Sequence, residues 1–231
     1  MKIKILPIIL LVFISLSVNA TPNFSKAKKI MYSKVFNHSG TTLYCNCTWN
    51  KKKVDLSSCG LNEYFPKKYR KRANRTEAEH IIPASWMLKV NNKIRQCVLD
   101  SKEHKSSARK YCQKHDKGFK KAHNDLVNLF PTVGKINAER SNKPFVDTLK
   151  SVKKSYGICS AESGSRGFVP PDNKKGDIAR VAFYMSKTYG VVYSKRQQLL
   201  FEKWVKLDPI SEEERKHNNK VIEVQKFGLK L

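Results

Sequence analysis

Arg75-Thr-Glu-Ala-Glu-His80-Ile-Ile-Pro83-Ala-Ser-Trp-Met87 sets two alternating carboxylates ahead of a histidine, two β-branched residues and a proline. Alternation puts Glu77, Glu79 and Ile81 on one face of an extended segment and His80 on the other. Pro83 removes a backbone donor and ends a central strand. His80 is therefore expected near the end of a short strand, at the edge of a cleft. A neutral imidazole can take a proton from water near pH 7. A carboxylate beside it can hold a hard divalent ion such as Mg²⁺. Ion and base together are what water needs to attack a phosphodiester. The Glu-His pair alone is a weak signal, since the same dipeptide occurs without any such role.

A second stretch, Ala122-His-Asn-Asp125-Leu-Val-Asn128-Leu-Phe-Pro131-Thr-Val-Gly134-Lys-Ile-Asn137, gives the first its context. With it, the chain resembles bacterial endonuclease I, a family of periplasmic and secreted non-specific nucleases in the ββα-metal (His-Me finger) group. The resemblance rests on Glu79-His80-Ile-Ile-Pro83-Ala and Asp125-Leu-Val-Asn128-Leu-Phe-Pro131. It continues through Val133-Gly134-Lys-Ile-Asn137 and Gly176-Asp-Ile-Ala-Arg180-Val-Ala-Phe-Tyr184-Met185. The pieces stand in family order from about Tyr44 to Asp208.

The resemblance implies a single mixed α+β domain, residues 21–231, with a ββα-metal centre in a mostly helical frame. It implies one-metal hydrolysis of DNA and RNA without sequence preference, leaving 5′-phosphate ends. His80 would be the general base. Glu79 and Asn128 would hold Mg²⁺, with Ca²⁺ or Mn²⁺ as alternatives. Arg109, just before Cys112, would meet the charge that develops on the phosphate. Asn128 is otherwise the kind of residue that satisfies backbone near a helix end. His123 is a rival ligand outside the matched positions. Two departures stand out: Val127, where the family often has an aromatic or His, and Val169, where it usually has an acidic residue. The chain also lacks a further Cys pair that family members often carry near the C-terminus.

Lys and Arg number 46 against 19 Asp and Glu, a formal net charge of +27. Such an excess attracts polyanions through neutralised phosphates and released counterions. Without a long basic amphipathic helix, nucleic acid fits better than a membrane surface. Lys67, Lys68, Arg70, Lys71, Arg72 and Arg75 form a run beside the Glu/His strand, placed to touch phosphate. A second cluster, Lys102, Lys105, Arg109, Lys110 and Lys114, lies in a polar insertion at 89–119. Arg180 is expected to anchor structure or bind phosphate. A rival reading is a secreted cationic module that coats nucleic acid without cutting it. That reading explains the charge but not Glu79-His80 with Asn128.

Residues 1–20 have the form of a signal peptide. Lys2 and Lys4 precede an apolar run from Ile5 to Leu16, and Val18-Asn-Ala20 is a small-x-small site. The run is short for a membrane span, and no Cys follows the site to carry a lipid. The expected location is the periplasm or the exterior, and the expected state is a monomer. All six cysteines follow Ala20, which points to disulfides. Six thiols allow many pairings, and sequence alone selects none. Proximity suggests Cys47–Cys59 and Cys97–Cys112, leaving Cys45–Cys159; a bridge between Cys45 and Cys47 would be strained. A zinc site at Cys45, Cys47 and Cys59 is the alternative, without paired C-x₂-C spacing. Closing the loop between Cys97 and Cys112 would stabilise by about 3 kcal/mol in the chain-entropy treatment.

The remaining expectations are local. Residues 23–36 have helical apolar spacing, and Thr42–Trp49 alternates like a strand. Lys51–Lys53 is expected to turn. Residues 120–130 are expected to be the helix of the ββα unit, with Leu126, Leu129 and Phe130 as its stripe. Phe168–Asp172 reads as a rigid connector, and Gly176–Tyr189 as a helix. Ser194 is expected to cap a helix with Leu199, Leu200, Trp204 and Val205 inward, ending at Asp208-Pro209. Residues 211–231 are expected to form a loosely packed end.

Overall fold

The computed structural model describes residues 23–90 and 92–231; the leader expected at 1–20 lies outside them. Asn23 caps helix α1 (Phe24–Ile30), its side chain accepting from the Lys26 amide. A π-helical stretch, Met31–Val35, continues it. Strands β1 (Ser39–Thr41), β2 (Thr48–Asn50) and β3 (Lys53–Val54) form a small antiparallel sheet. The single strand expected over 42–49 is therefore broken. The chain doubles back, with the Thr42 amide bonded to the Cys47 carbonyl and Asn46 at φ 51. The fold-back suits the cysteines, because Cys45 joins Cys159 and Cys47 joins Cys59.

Helix α2 (Lys67–Ala73) leads into β4 (Thr76–His80), which ends three residues before Pro83. Beyond α3 (Ala84–Met87), helices α4 (Asn92–Glu103) and α5 (Ala108–His115) make up the insertion. Cys97–Cys112 joins the two. Helix α6 (Lys117–His123) stops at Asn124. A 3-10 turn (Leu126–Asn128) then runs directly into β5 (Leu129–Val133).

The helix expected over 120–130 is thus a correction. Asp125 takes an extended backbone and bonds the Val127 amide, which halts helical propagation. Pro131 holds the residue before it in the β region. β5 pairs antiparallel with β4, from Thr76↔Val133 to His80↔Leu129. The helix packed on this pair is α7 (Gly134–Arg140). Gly134 begins it because no side chain fits there: a Cβ would lie 2.6 Å from the Arg72 carbonyl oxygen.

Strands β6 (Val152–Tyr156), β7 (Cys159–Gly164) and β8 (Phe168–Val169) form a third sheet. Helix α8 (Lys175–Tyr189) buries Ile178, Val181, Ala182 and Met185 as expected. Ser194 caps α9 (Lys195–Leu207) by accepting from the Gln197 amide. That helix buries Phe201 and Trp204, whereas Leu199 is exposed. The C-terminal region is not loose. Helix α10 (Glu212–Gln225) buries Glu214, Asn218, Val221 and Gln225, and Gln225 bonds Asp125 and the Leu126 amide. The architecture is mixed α+β, and no described helix is long and apolar enough to cross a membrane.

Candidate active site

A cavity of about 850 Å³ lies along β4. Glu79 and His80 line it, together with Lys28, Lys52, Arg72, Arg75, Arg109 and Arg140. Strand alternation gives the two residues different surroundings.

His80 is 8% exposed, and its Nε2 lies 2.8 Å from the His123 carbonyl oxygen. A carbonyl can only accept, so Nε2 carries the proton and Nδ1 keeps a lone pair. Phe24 stacks on the imidazole with ring centroids 5.0 Å apart, and the His123 ring lies 4.6 Å away. Burial holds the His80 pKa well below its ordinary value, and neighbouring His123 adds to the effect. The ring is therefore neutral at pH 7, as a base must be before it acts.

His123 ties Arg109 to this base. Arg109 Nε donates to His123 Nε2 at 2.8 Å, so the His123 proton sits on Nδ1, 3.1 Å from Asn124 Oδ1. Burial lowers the His123 pKa to about 4, which keeps that ring neutral too. Arg109 also lies over the Phe24 ring, 5.1 Å from its centroid.

Glu79 is 3% exposed, and desolvation pushes its pKa up to about 7 against the pull of Arg140 and Tyr44. The Tyr44 hydroxyl donates to Oε1 at 2.7 Å, and Arg140 Nη1 pairs with the same oxygen at 3.0 Å. Neither bond uses Oε2. Arg140 also donates to the carbonyls of His80 and Ile81, at 2.9 and 2.6 Å. One buried guanidinium thus fixes the end of β4.

The expected ligands fit a hard cation by their chemistry. Glu79 offers a carboxylate oxygen that its protein partners leave alone, and Asn128 offers a carbonyl oxygen. Asn128 is fully buried and is not part of the cavity wall. Its Oδ1 accepts from the Ile82 amide at 2.7 Å, and its Nδ2 donates to the Ile82 carbonyl at 2.9 Å. One lone pair of Oδ1 remains for a ligand. Among the described residues no cluster of three or more His, Cys, Asp or Glu could hold a metal.

The expected phosphate contacts separate into groups. Arg72 and Arg75 line the cavity, and Glu77 holds both guanidiniums, with closest contacts of 2.7 and 2.8 Å. Lys67 and Lys68 are exposed on α2, and Arg70 pairs with Glu63. Lys110 is exposed beside Arg109 on α5. Of the two roles expected for Arg180 its contacts fit the anchor and not the phosphate: it is 7% exposed, forked onto Glu214 and bonded to Asp177 and the Asp208 carbonyl. It holds α8 to α10 and presents nothing to a substrate.

Sequence reasoning missed Arg140, Tyr44 and Phe24, and set His123 aside. Arg140 stands three residues beyond the end of the matched Gly134–Asn137 segment. Its position was the one available signal.

The Endonuclease I family model matches residues 23–227. An Endonuclease-1 of Buchnera aphidicola subsp. Baizongia pistaciae is 36% identical over 210 residues, covering 88% of this chain and 80% of the relative. An extracellular deoxyribonuclease of Aeromonas hydrophila is 34% identical over 207 residues, covering 87% and 85%. A periplasmic deoxyribonuclease of the same species is 32% identical over 199 residues, covering 83% and 78%. With a family match over almost the whole described chain and relatives aligned along most of their length, this chain belongs to the endonuclease I family.

Proposed function

We propose that this protein is an exported endonuclease that hydrolyses the phosphodiester backbone of DNA, and of RNA, around a ββα-metal centre. β4, β5 and α7 are the elements of that centre. The observation that carries the reading is His80: a buried, neutral imidazole with its proton fixed on Nε2, in a cavity walled by arginines and lysines.

His80 Nδ1 takes a proton from the attacking water. The resulting imidazolium keeps its Nε2–H on the His123 carbonyl, which steadies the new charge. Glu79, with Asn128, would hold a divalent ion such as Mg²⁺, which when bound supplies positive charge at the phosphate and the leaving 3′-oxygen. Ca²⁺ and Mn²⁺ suit the same oxygens. Arg109 stands beside His80 and meets charge on the non-bridging oxygens. Arg72 and Arg75 bind flanking phosphates, with Lys67, Lys68, Arg70 and Lys110 as an outer attractive surface. These contacts carry no base information, which accounts for cleavage without sequence preference.

Export is supported by the leader-like residues 1–20, by the three disulfides and by the names of extracellular and periplasmic relatives. Plasmid DNA incubated with the mature protein and Mg²⁺ should be nicked and then degraded, and a chelator should stop the reaction. Nicking that survives full chelation would remove the metal from the reading. DNA left intact under all conditions would favour the non-cutting cationic protein.

A further inference from the structure

Glu77 stands two residues before Glu79 on β4, and both line the cavity. Their oxygens are treated in opposite ways. Hydrogen bonds from three side chains converge on the Glu77 carboxylate. Arg72 closes its fork on it, Nε reaching Oε1 at 2.9 Å and Nη2 reaching Oε2 at 2.7 Å. Arg75 meets Oε1 through Nη2 at 2.8 Å and through Nε at 3.3 Å. Asn137 Nδ2 adds a bond to Oε2 at 3.2 Å. Both oxygens are thus engaged, whereas Glu79 keeps one toward the cavity.

This cluster is open to a substrate. Arg72, Arg75, Glu77 and Asn137 all line the cavity, and the side chains of Arg72, Arg75 and Glu77 are 46%, 54% and 20% exposed. Two guanidinium forks and an amide are also the donors that a phosphodiester takes. In each arginine the edge formed by Nε and Nη2 already faces Glu77. Only Nη1 is left without a protein partner among the described residues. A phosphate arriving here finds single contacts unless a fork lets go of the carboxylate. Charge acts in the same direction, since Glu77 cancels one of the two positive charges. The rest of the chain is strongly basic, with 46 Lys and Arg against 19 Asp and Glu. Such a surface holds cut ends as readily as intact DNA.

We propose that Glu77 is a built-in competitor for the phosphate-binding edges of Arg72 and Arg75, which weakens the hold on the flanking backbone and speeds release of cut DNA. The inference rests on the nuclease reading and makes Glu77 a positioning residue that acts through the two arginines. A carboxylate that merely braced the arginines for substrate would have the opposite effect on affinity.

The test is Glu77→Gln, which keeps the shape of the side chain and removes its charge. Binding of a short DNA duplex is measured across a salt series in the His80→Ala background, with and without Glu77→Gln. The added substitution should tighten binding about tenfold at low salt, the gain of one charge-assisted contact. It should also steepen the slope of log affinity against log salt by about one. In otherwise wild-type protein, Glu77→Gln should lower KM and multiple-turnover kcat together, each about threefold, while the single-turnover cleavage rate stays within about twofold. Tm is followed alongside, and Glu77→Ser, which removes the carboxylate outright, is read in the same way if Glu77→Gln is poorly folded. Binding that weakens or stays unchanged in the folded variant would overturn the proposal and leave Glu77 as a brace. The binding comparison needs no cleavage, so a wild type that cleaves nothing would defeat the nuclease reading separately.

Discussion

Two buried glutamates in this protein face arginines, and they are used differently. Glu79 pairs with Arg140 at the cavity, and Glu214 pairs with Arg180 between α8 and α10. Burial raises both carboxyls to about 7. Arg180 spends its fork on Glu214, reaching Oε1 at 2.7 Å and Oε2 at 2.6 Å, so neither oxygen is left over. Arg140 meets only Oε1 of Glu79 and spends its other bonds on the His80 and Ile81 carbonyls. The first arrangement closes a carboxylate into the frame. The second steadies a carboxylate while leaving one oxygen toward a cavity. The same pair of residue types thus makes a fastening in one place and a cavity-lining carboxylate in the other.

Neutralising each carboxylate tests that contrast most severely. Glu79→Gln should cut cleavage on the order of a thousandfold at temperatures where the variant stays folded. Glu214→Gln should lower Tm while cleavage below Tm stays within about threefold of wild type. Comparable activity losses in both variants would erase the distinction.

Removing the arginines comes next in size. Arg180→Met leaves Glu214 buried and unpaired, which should destabilise by about 3–5 kcal/mol in denaturant unfolding. The salt dependence of DNA binding should not change. Arg75→Ala, by contrast, should reduce the slope of log affinity against log salt by about one, with little effect on stability. A reduced slope in Arg180→Met would return that residue to the substrate surface.

A smaller effect sharpens the comparison through pH. Burial lowers the pKa of His123 and of His217 to about 4, and of His80 well below its usual value. The unfolded chain binds protons at these sites near pH 6.5, whereas the folded protein resists until much lower pH. Their stabilisation is thus fully present above pH 6.5 and is lost as pH falls from there toward 4. Each histidine should add about 1.4 kcal/mol per pH unit to the slope. His217, packed on Phe130 and Phe36 away from the cavity, offers a clean probe. His217→Phe should flatten Tm against pH over that range without changing the pH dependence of cleavage. An unaltered stability slope would show that His217 does not titrate as its burial requires.

Much of the site was legible because it rests on local pattern. Alternation before Pro83 placed His80 at a strand end, and Ser194 marked its helix. Cysteine proximity suggested, without selecting it, the set of three disulfides that the structure has. What stayed hidden depends on contacts between distant segments. Arg140 reaches the His80 carbonyl from 60 residues away, and only because Gly134 lets α7 lie against β4. Phe24 meets His80 through the packing of α1. The apolar spacing of Leu126, Leu129 and Phe130 suggested a helix; Asp125 and Pro131 overrule it. The charged C-terminal segment looked unattached, yet Gln225 holds Asp125 across 100 residues.

The central claim is that the +27 charge supplies affinity while one neutral imidazole supplies chemistry. His80→Ala tests it directly, with cleavage and DNA binding measured on the same preparation. Loss of a general base should lower the cleavage rate by about 10²–10⁴ while DNA affinity stays within about twofold of wild type. Cleavage close to the wild-type rate in a folded His80→Ala protein would contradict the account.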